Sequence, residues 1–251
     1  MKTRMKAKTI IAPLSLLIII LLLWEISTIA FHVDSKVLPS FTDILSAFQN
    51  KFIPIILPDL LITMKNLVLG YVIAVPLGIL IAAICAQSQT LVKIATPLII
   101  MTLVTPVIII VPILIPFIGF DAKIKVLVVI LQTAPIIILN SLVGFTNVKQ
   151  EKLDLMKSYG ASRFEIFRKI TFMDALPRVF AGLELGCILS TIGAVSGDIA
   201  VGDGGIGTRI QMAASTLATD TVFASILSTC LLAIILFQVV VWIERNVIAW
   251  K

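Results

Sequence analysis

Long apolar runs dominate the chain, and short polar stretches separate them. A membrane-spanning helix needs about 20 mostly apolar residues. Runs of this length predict six spanning helices, at residues 10–31, 60–86, 94–118, 123–146, 178–200 and 221–243. We interpret the first run as a retained helix because its apolar stretch is too long for a typical signal peptide. The pattern therefore predicts an all-α polytopic membrane protein.

The segments around these runs divide the chain further. Residues 1–9 form a basic N-terminus, 10–31 the first span, 32–59 an outer interfacial segment and 60–251 the main membrane domain. Within 32–59, Ser40 suits a helix N-cap. The apolar residues after it recur at i, i+3, i+4 and i+7, which predicts an amphipathic helix lying along the membrane interface. These residues are Phe41, Ile44, Leu45 and Phe48.

Composition and charge support the membrane class. The chain is 59% hydrophobic and 14% charged, whereas soluble domains are about 25% charged. Most Lys and Arg residues fall on one side of the six predicted spans, and this bias places both termini in the cytoplasm. The net charge of +6 is therefore explained by topology, without nucleic acid as a partner. The cysteines lie in apolar runs and form no CxxC pair, which argues against a disulfide framework or a metal site.

Proline and glycine mark two irregular regions. Pro106, Pro112 and Pro116 fall in the third run and predict a bent or broken span. Bent spans suit a protein that opens and closes. The stretch "GDIAVGDGGIGTRIQ" follows the fifth run, and its glycines allow a tight or re-entrant path. A flexible outer loop is the alternative.

A charged segment, residues 147–177, interrupts the apolar pattern on the predicted cytoplasmic side. Leu153, Met156 and Tyr159 give a first helix one apolar face, and Gly160 supplies its C-terminal stop. Ser162 and Glu165 have the spacing of a capping box that starts a second helix. Its apolar face is predicted to contain Phe164, Phe167 and Ile170, and Pro177 is predicted to end the unit. Such a helix pair either lies on anionic lipid or docks on a soluble partner.

The charged segment 147–177 resembles the EAA loop of permease subunits in bacterial ABC importers that use a binding protein, and we call it the coupling segment. Gly160, Leu176 and Pro177 match that pattern at the right spacing. Asp154 stands where the family has Glu, and Met156 stands where it has Ala. The resemblance covers most of the chain and is strongest to the branch that takes up nitrate, sulfonates, taurine and precursors of thiamine or riboflavin. The "IGAV-x-G" run and the closing "ER…W", which ends at Trp250, favour the thiamine-pyrimidine or riboflavin-precursor members.

The resemblance implies a type I ABC importer permease fold in the bacterial inner membrane. It also implies a cytosolic ABC ATPase dimer, an extracytoplasmic substrate-binding protein and a second copy of this chain as partners. ATP and Mg²⁺ would bind the ATPase, because this chain lacks the G-x-x-x-x-G-K-[ST] loop and is predicted to bind no cofactor. The residues that would couple to the ATPase are Asp154, Ser158, Gly160, Ala161, Ser162, Phe164, Phe167, Arg168, Leu176 and Pro177.

Polar side chains within the spans are candidates for the translocation path. Thr102, Thr105 and Asn140 could face the path or bond between helices, and Asp198 could gate its outer mouth or fix the glycine-rich loop. An intramembrane protease is disfavoured because His32 is the single histidine and Asp198 has no aspartate partner in another span. A secondary transporter or channel is the serious alternative, although no internal inverted repeat is visible.

Overall fold

The computed structural model describes residues 2–248, and for residues 2–14 it describes the backbone alone. The predicted basic N-terminus, residues 1–9, and Trp250 therefore lie outside the described side chains. The described part is helical and contains no strand. Its helices are α1 Lys2–Ala30, α2 Phe41–Lys51, α3 Leu57–Cys85, α4 Gln89–Val104, α5 Val107–Ile118, α6 Ala122–Thr146, α7 Gln150–Ser158, α8 Arg163–Ile166, α9 Phe172–Val201, α10 Ile206–Ser215 and α11 Thr219–Val247.

Four helical stretches are long and apolar enough to cross a membrane: Phe41–Cys85, Ala122–Thr146, Arg163–Val201 and Thr219–Val247. They confirm four of the predicted spans. The predicted third span is a pair of helices, α4 and α5, bent by 93° at Thr105–Pro106, and it counts as a fifth span if the pair crosses as one. The predicted first span coincides with α1, whose described apolar part is Ser15–Ala30.

The chain forms two compact units. One contains the chain up to Asp59 together with Arg209–Ser228. Here Ser40 caps α2 as predicted. Its hydroxyl accepts from the Asp43 N–H, and the Asp43 carboxylate accepts from the Ser40 N–H. A π-helical turn, Phe52–Ile56, leads from α2 straight into α3. The position of residues 32–59 at the outer membrane interface stays a prediction. An ion pair of 2.6 Å joins Lys51 to Asp220 in this unit.

The other unit contains Leu60–Thr208 together with the chain from Thr229, and α6 is its central helix. Glycines of α9 pack against α6 at Gly182, Gly186, Gly193 and Gly197. An ideal Cβ at Gly197 would lie 3.2 Å from the Cα of Lys125, and one at Gly182 would lie 2.8 Å from the Cβ of Asn140. Small residues allow this close backbone approach between helices.

The prediction that Pro177 ends the coupling segment is wrong. Pro177 lies inside α9, and the helix runs without interruption from Arg163 through a π-helical turn, Phe167–Thr171, to Val201. An interior proline costs about 3 kcal/mol. The apolar residues beside it are buried, and full burial of one such side chain contributes about 1.5–3 kcal/mol, so packing outweighs the lost hydrogen bond. The buried neighbours are Ala175, Leu176, Val179 and Phe180.

Candidate functional site

The coupling segment contains a tight turn between two helices. After α7, Gly160 adopts φ +76°, a left-handed conformation that glycine reaches without strain. The Gly160 N–H donates to the Lys157 carbonyl at 2.9 Å, and the Ala161 N–H donates to the Met156 carbonyl at 3.1 Å. This pair of bonds is a Schellman motif. The predicted stop at Gly160 is therefore confirmed.

The second helix of the coupling segment starts as predicted. The Ser162 hydroxyl accepts from the Glu165 N–H, and the Glu165 carboxylate accepts from the Ser162 N–H at 3.0 Å. The capping box is thus confirmed. It begins α8, and on the first turn Phe164 is 71% exposed. Large apolar side chains at the turn, Tyr159 and Phe164, therefore have little contact with the rest of the described chain.

The predicted apolar face of this second helix is only partly correct. Phe164 is exposed, whereas Phe167 and Ile170 are half-buried. Phe164 lies before the π-helical turn, Phe167–Thr171, whereas Phe167 and Ile170 lie within it. Phe167 instead packs on Phe145, with ring centroids 5.4 Å apart.

Further residues assigned to coupling differ in exposure. Leu176 is buried and Pro177 is half-buried, so these two side chains pack against other parts of the protein. Arg168 and Ser158 are exposed. The Ser158 hydroxyl donates to the Leu155 carbonyl at 2.7 Å.

Charged contacts hold α7 in place. The Lys152 ammonium lies 2.6 Å from an Asp174 carboxylate oxygen and ties α7 to the start of α9. Asp154 is exposed and accepts hydrogen bonds from Lys157 at 3.0 Å and from Gln150 at 2.9 Å. The bond from Lys157 is the main cause that lowers the pKa of Asp154 below its ordinary value. The carboxylate at this position therefore stays ionised at neutral pH.

A second polar cluster surrounds Asp198 at the end of α9. Asp198 is 0% exposed and Lys125 is 1% exposed, and their charged groups lie 3.3 Å apart. Lys125 also pairs with Asp203 and donates to the Gly204 carbonyl at 2.7 Å. The Thr63 hydroxyl donates to the Asp198 carboxylate at 2.5 Å. These contacts join α3, α6 and α9 to the glycine-rich turn.

The glycine-rich turn follows a tight path around the Asp198 carboxylate. Gly202, Gly204 and Gly205 all have positive φ. At Gly205 a Cβ would lie 2.4 Å from the Asp198 carboxyl carbon, so no larger residue fits there without a shift. This geometry supports the tight-path alternative over a flexible loop. It also supports the role of Asp198 in fixing the turn, while a role in the translocation path stays a prediction.

Sequence reasoning missed Lys125 and Thr63 as members of this cluster. The available signal was a lysine inside the start of an apolar run, since ionisable residues within spans are functional candidates by default. No spacing rule could link it to Asp198, because the two residues lie on different spans.

The four path candidates do not form one site. Asn140 is half-buried opposite Gly182, and its side-chain amide donates to the Ile136 carbonyl of its own helix at 2.9 Å. Asp198 is enclosed in the cluster described above. Thr102 and Thr105 are exposed at the end of α4, and their hydroxyls donate to carbonyls of Ile99 and Met101, each at 2.7 Å.

Comparison with known proteins identifies the class. Residues 74–249 match the family described as the binding-protein-dependent transport system inner membrane component. The chain belongs to this family. It is thus a multi-pass protein of the bacterial inner membrane and a permease subunit of ABC importers for small solutes, as the resemblance implied.

Individual relatives agree with this assignment. The permease is 30% identical to the riboflavin transport system permease RibX of Chloroflexus aurantiacus over 58% of this chain and 54% of that protein. It is 24% identical to the formylaminopyrimidine transport permease ThiX of Halalkalibacterium halodurans over 95% of both chains. A chain of the inward-facing MetNI methionine ABC transporter matches with a TM-score of 0.58 at 17% identity, covering 80% of this chain and 97% of that one. This likeness supports the all-α polytopic fold.

Proposed function

We propose that this permease forms the translocation path of an ATP-driven importer and that its coupling segment docks onto a separate cytosolic ABC ATPase dimer. The exposed turn of the coupling segment is the observation that carries the proposal. Tyr159 and Phe164 present apolar surface at a turn fixed by a Schellman motif and a capping box. A rigid apolar projection with charged flanks suits a groove on a soluble protein.

The rigidity of the segment supports a mechanical role. The helix of the turn continues directly into the span that ends at Val201, so a displacement of the docked turn would move this span. The Lys152–Asp174 ion pair and the Phe145–Phe167 contact hold the turn against the spans. In this proposal, closure of the ATPases on ATP draws two such turns together and switches the path from inward-facing to outward-facing.

For the solute, we propose a formylaminopyrimidine-like thiamine precursor or a riboflavin precursor, delivered by an extracytoplasmic binding protein. The names of the two relatives described above support this choice. Taurine, other sulfonates and nitrate are the alternatives within the same branch. A symmetric pair of permeases is the economical arrangement, because a path on a two-fold axis needs one interface surface used twice.

The test is co-purification of the tagged permease from its native membranes in a gentle detergent, assayed for a stoichiometric ATP-hydrolysing subunit. The decisive variant is Phe164→Ala. Phe164 contributes little to the packing of the chain, so its removal acts mainly on a partner, where loss of an aromatic anchor costs about 2 kcal/mol or more. Phe120→Ala is the matched control, because Phe120 is 70% exposed on the predicted outer side.

We expect the ATPase to co-purify with the unmodified permease and with Phe120→Ala, and to be reduced at least tenfold with Phe164→Ala. Equal recovery of the ATPase with both variants would show that Phe164 is not part of the docking surface. A permease that purifies without any ATPase would instead favour a secondary transporter or channel, with the coupling segment lying on lipid.

A further inference from the structure

The break between α4 and α5 is exposed on the surface of the described chain. The two helices meet at Thr105–Pro106 with a bend of 93°. Around the break, Val104 is 74% exposed, and Thr102, Thr105 and Pro106 are exposed as well. The end of one apolar helix and the start of the next thus lie open on one side.

Packing on α6 places this break near the middle of the membrane span. Before the break, Ile99 packs in a core cluster with Ala134 and Ile138 of α6. After the break, Val107 packs in another cluster with Ile124 and Val128 of the same helix. The break is therefore level with the stretch of α6 between Val128 and Ala134, well inside the span Ala122–Thr146.

The Thr102 carbonyl at the break lacks its usual helical donor. The last such bond of α4 runs from the Thr105 N–H to the Met101 carbonyl at 3.1 Å. Pro106 has no N–H, so the Thr102 carbonyl loses its i+4 donor.

The threonine hydroxyls add acceptors on the same surface. Each hydroxyl hydrogen of Thr102 and Thr105 is engaged by a carbonyl of α4, so the oxygen is left to accept. The end of α4 is also a helix C-terminus, which carries a partial negative charge. The break thus presents hydrogen-bond acceptors, and no charged side chain stands among residues 94–118.

Irregular backbone cannot face lipid at this depth. Each unsatisfied polar group in hydrocarbon costs several kcal/mol, so such a break survives only where it is buried in protein or lines a water-filled cavity. We propose that the Thr105–Pro106 break forms an acceptor-lined stretch of the aqueous translocation path. The inference rests on the proposed function in that it takes the path of the importer as the water-filled space.

The chemistry of this stretch favours a class of solute. Carbonyl and hydroxyl acceptors at a helix C-terminus interact well with N–H and O–H donors and with cations, and poorly with anions. An aminopyrimidine or a flavin precursor carries such donors. Nitrate or a sulfonate presents acceptors and negative charge to the same surface, and would be disfavoured there.

Thiol accessibility tests the proposal in membrane vesicles that contain the full chain. Cys85, Cys187 and Cys230 are first replaced by Ala, and Thr105→Cys or Thr102→Cys is then introduced as a conservative change. The matched control is Ile73→Cys. Ile73 is 47% exposed on α3, between Gly70, which contacts Val129, and Gly78, which contacts Ile137, so it lies at a similar depth. Each variant is treated with a cationic or an anionic methanethiosulfonate, applied from both faces of the membrane.

We expect Thr105→Cys to react at least tenfold faster than Ile73→Cys, because a thiol in water ionises and a thiol in lipid does not. Rates as slow as those of Ile73→Cys for both threonine positions would overturn the path assignment. After division by each reagent's rate with a free thiol in water, the cationic reagent should react several-fold faster. An equal or faster anionic reagent would overturn the acceptor-lined character.

The outcome is separable from that of the proposed function. Co-purification of an ATPase does not enter the thiol measurement. If no ATPase is found and Thr105→Cys still reacts, the path assignment stands for another kind of transporter, and the importer proposal alone fails. If the ATPase is found and the thiol is unreactive, the importer proposal stands and the path assignment fails.

Discussion

Lys125 is the residue on which the Asp198 cluster depends. Its ammonium group lies beside two carboxylates, those of Asp198 and Asp203, and its side chain is almost fully buried. Removal of one partner from a buried ion pair leaves an uncompensated charge, which costs about 3–5 kcal/mol. The replacement of both partners by neutral groups is much less costly, since no buried charge then remains.

We predict that Lys125→Met lowers the free energy of unfolding by about 3–5 kcal/mol, seen as a clear loss of thermal stability in detergent. Lys123→Met is the control, because Lys123 is 80% exposed and its pair with Asp121 is 3.4 Å long. The double variant Lys125→Met with Asp198→Asn should recover most of the loss. A double variant as unstable as Lys125→Met alone would show that the ammonium contributes through packing instead of charge.

At this scale the sequence reveals which residues are unusual, and it does not reveal which residues meet. Asp198 was a candidate because a carboxylate at the end of an apolar run is rare. Its contacts with Lys125 and Thr63 depend on how three spans pack, and single-sequence patterns carry no such information. The capping box at Ser162 was predictable because both of its residues lie within one helical turn.

The pairing of α6 and α9 is the main contact at the scale of elements. Four glycines along α9 remove side chains from the face that meets α6. At Gly193, an added Cβ would lie 3.0 Å from the Cβ of Gln132 and 3.3 Å from the Cα of Val129. The backbones are therefore too close for a larger residue without a shift of the helices.

We predict that Gly193→Leu destabilises the permease by at least the 1–3 kcal/mol typical of overpacking, with Gly193→Ala showing a smaller loss. Ile192→Leu, on the exposed side of the same turn, should leave stability unchanged. Thermal unfolding in detergent measures all three variants. Similar stability of Gly193→Leu and Ile192→Leu would mean that α9 does not pack on α6 through this face.

Element boundaries were predictable where local chemistry sets them. Ser40, Gly160 and Ser162 end or begin helices through bonds to near neighbours, and the structure has them as expected. Pro106 and Pro177 show the limit. Both remove a helical bond, but only Pro106 breaks its helix, whereas burial around Pro177 keeps α9 continuous. Tertiary packing decides between these outcomes, and it was not visible in the sequence.

Orientation in the membrane belongs to the scale of the whole molecule. The coupling segment carries several Lys and Arg residues, and the positive-inside rule places it in the cytoplasm. The same rule places the loop before α2, with Lys36, on the outer side. Lys36 and, on the coupling segment, Tyr159 are exposed in the structure, so each can be labelled without disturbing the packed spans.

We predict that, in a chain without its natural cysteines, Lys36→Cys reacts in intact cells with a membrane-impermeant maleimide once the outer membrane is permeabilised. Tyr159→Cys, on the exposed turn of the coupling segment, should react only after the inner membrane is opened. Positive charges on a loop resist transfer across the energised membrane, which is why the two positions should differ. The opposite pattern would place the coupling segment outside the cell, where no cytosolic ATPase could reach it, and would remove the physical basis of the importer proposal.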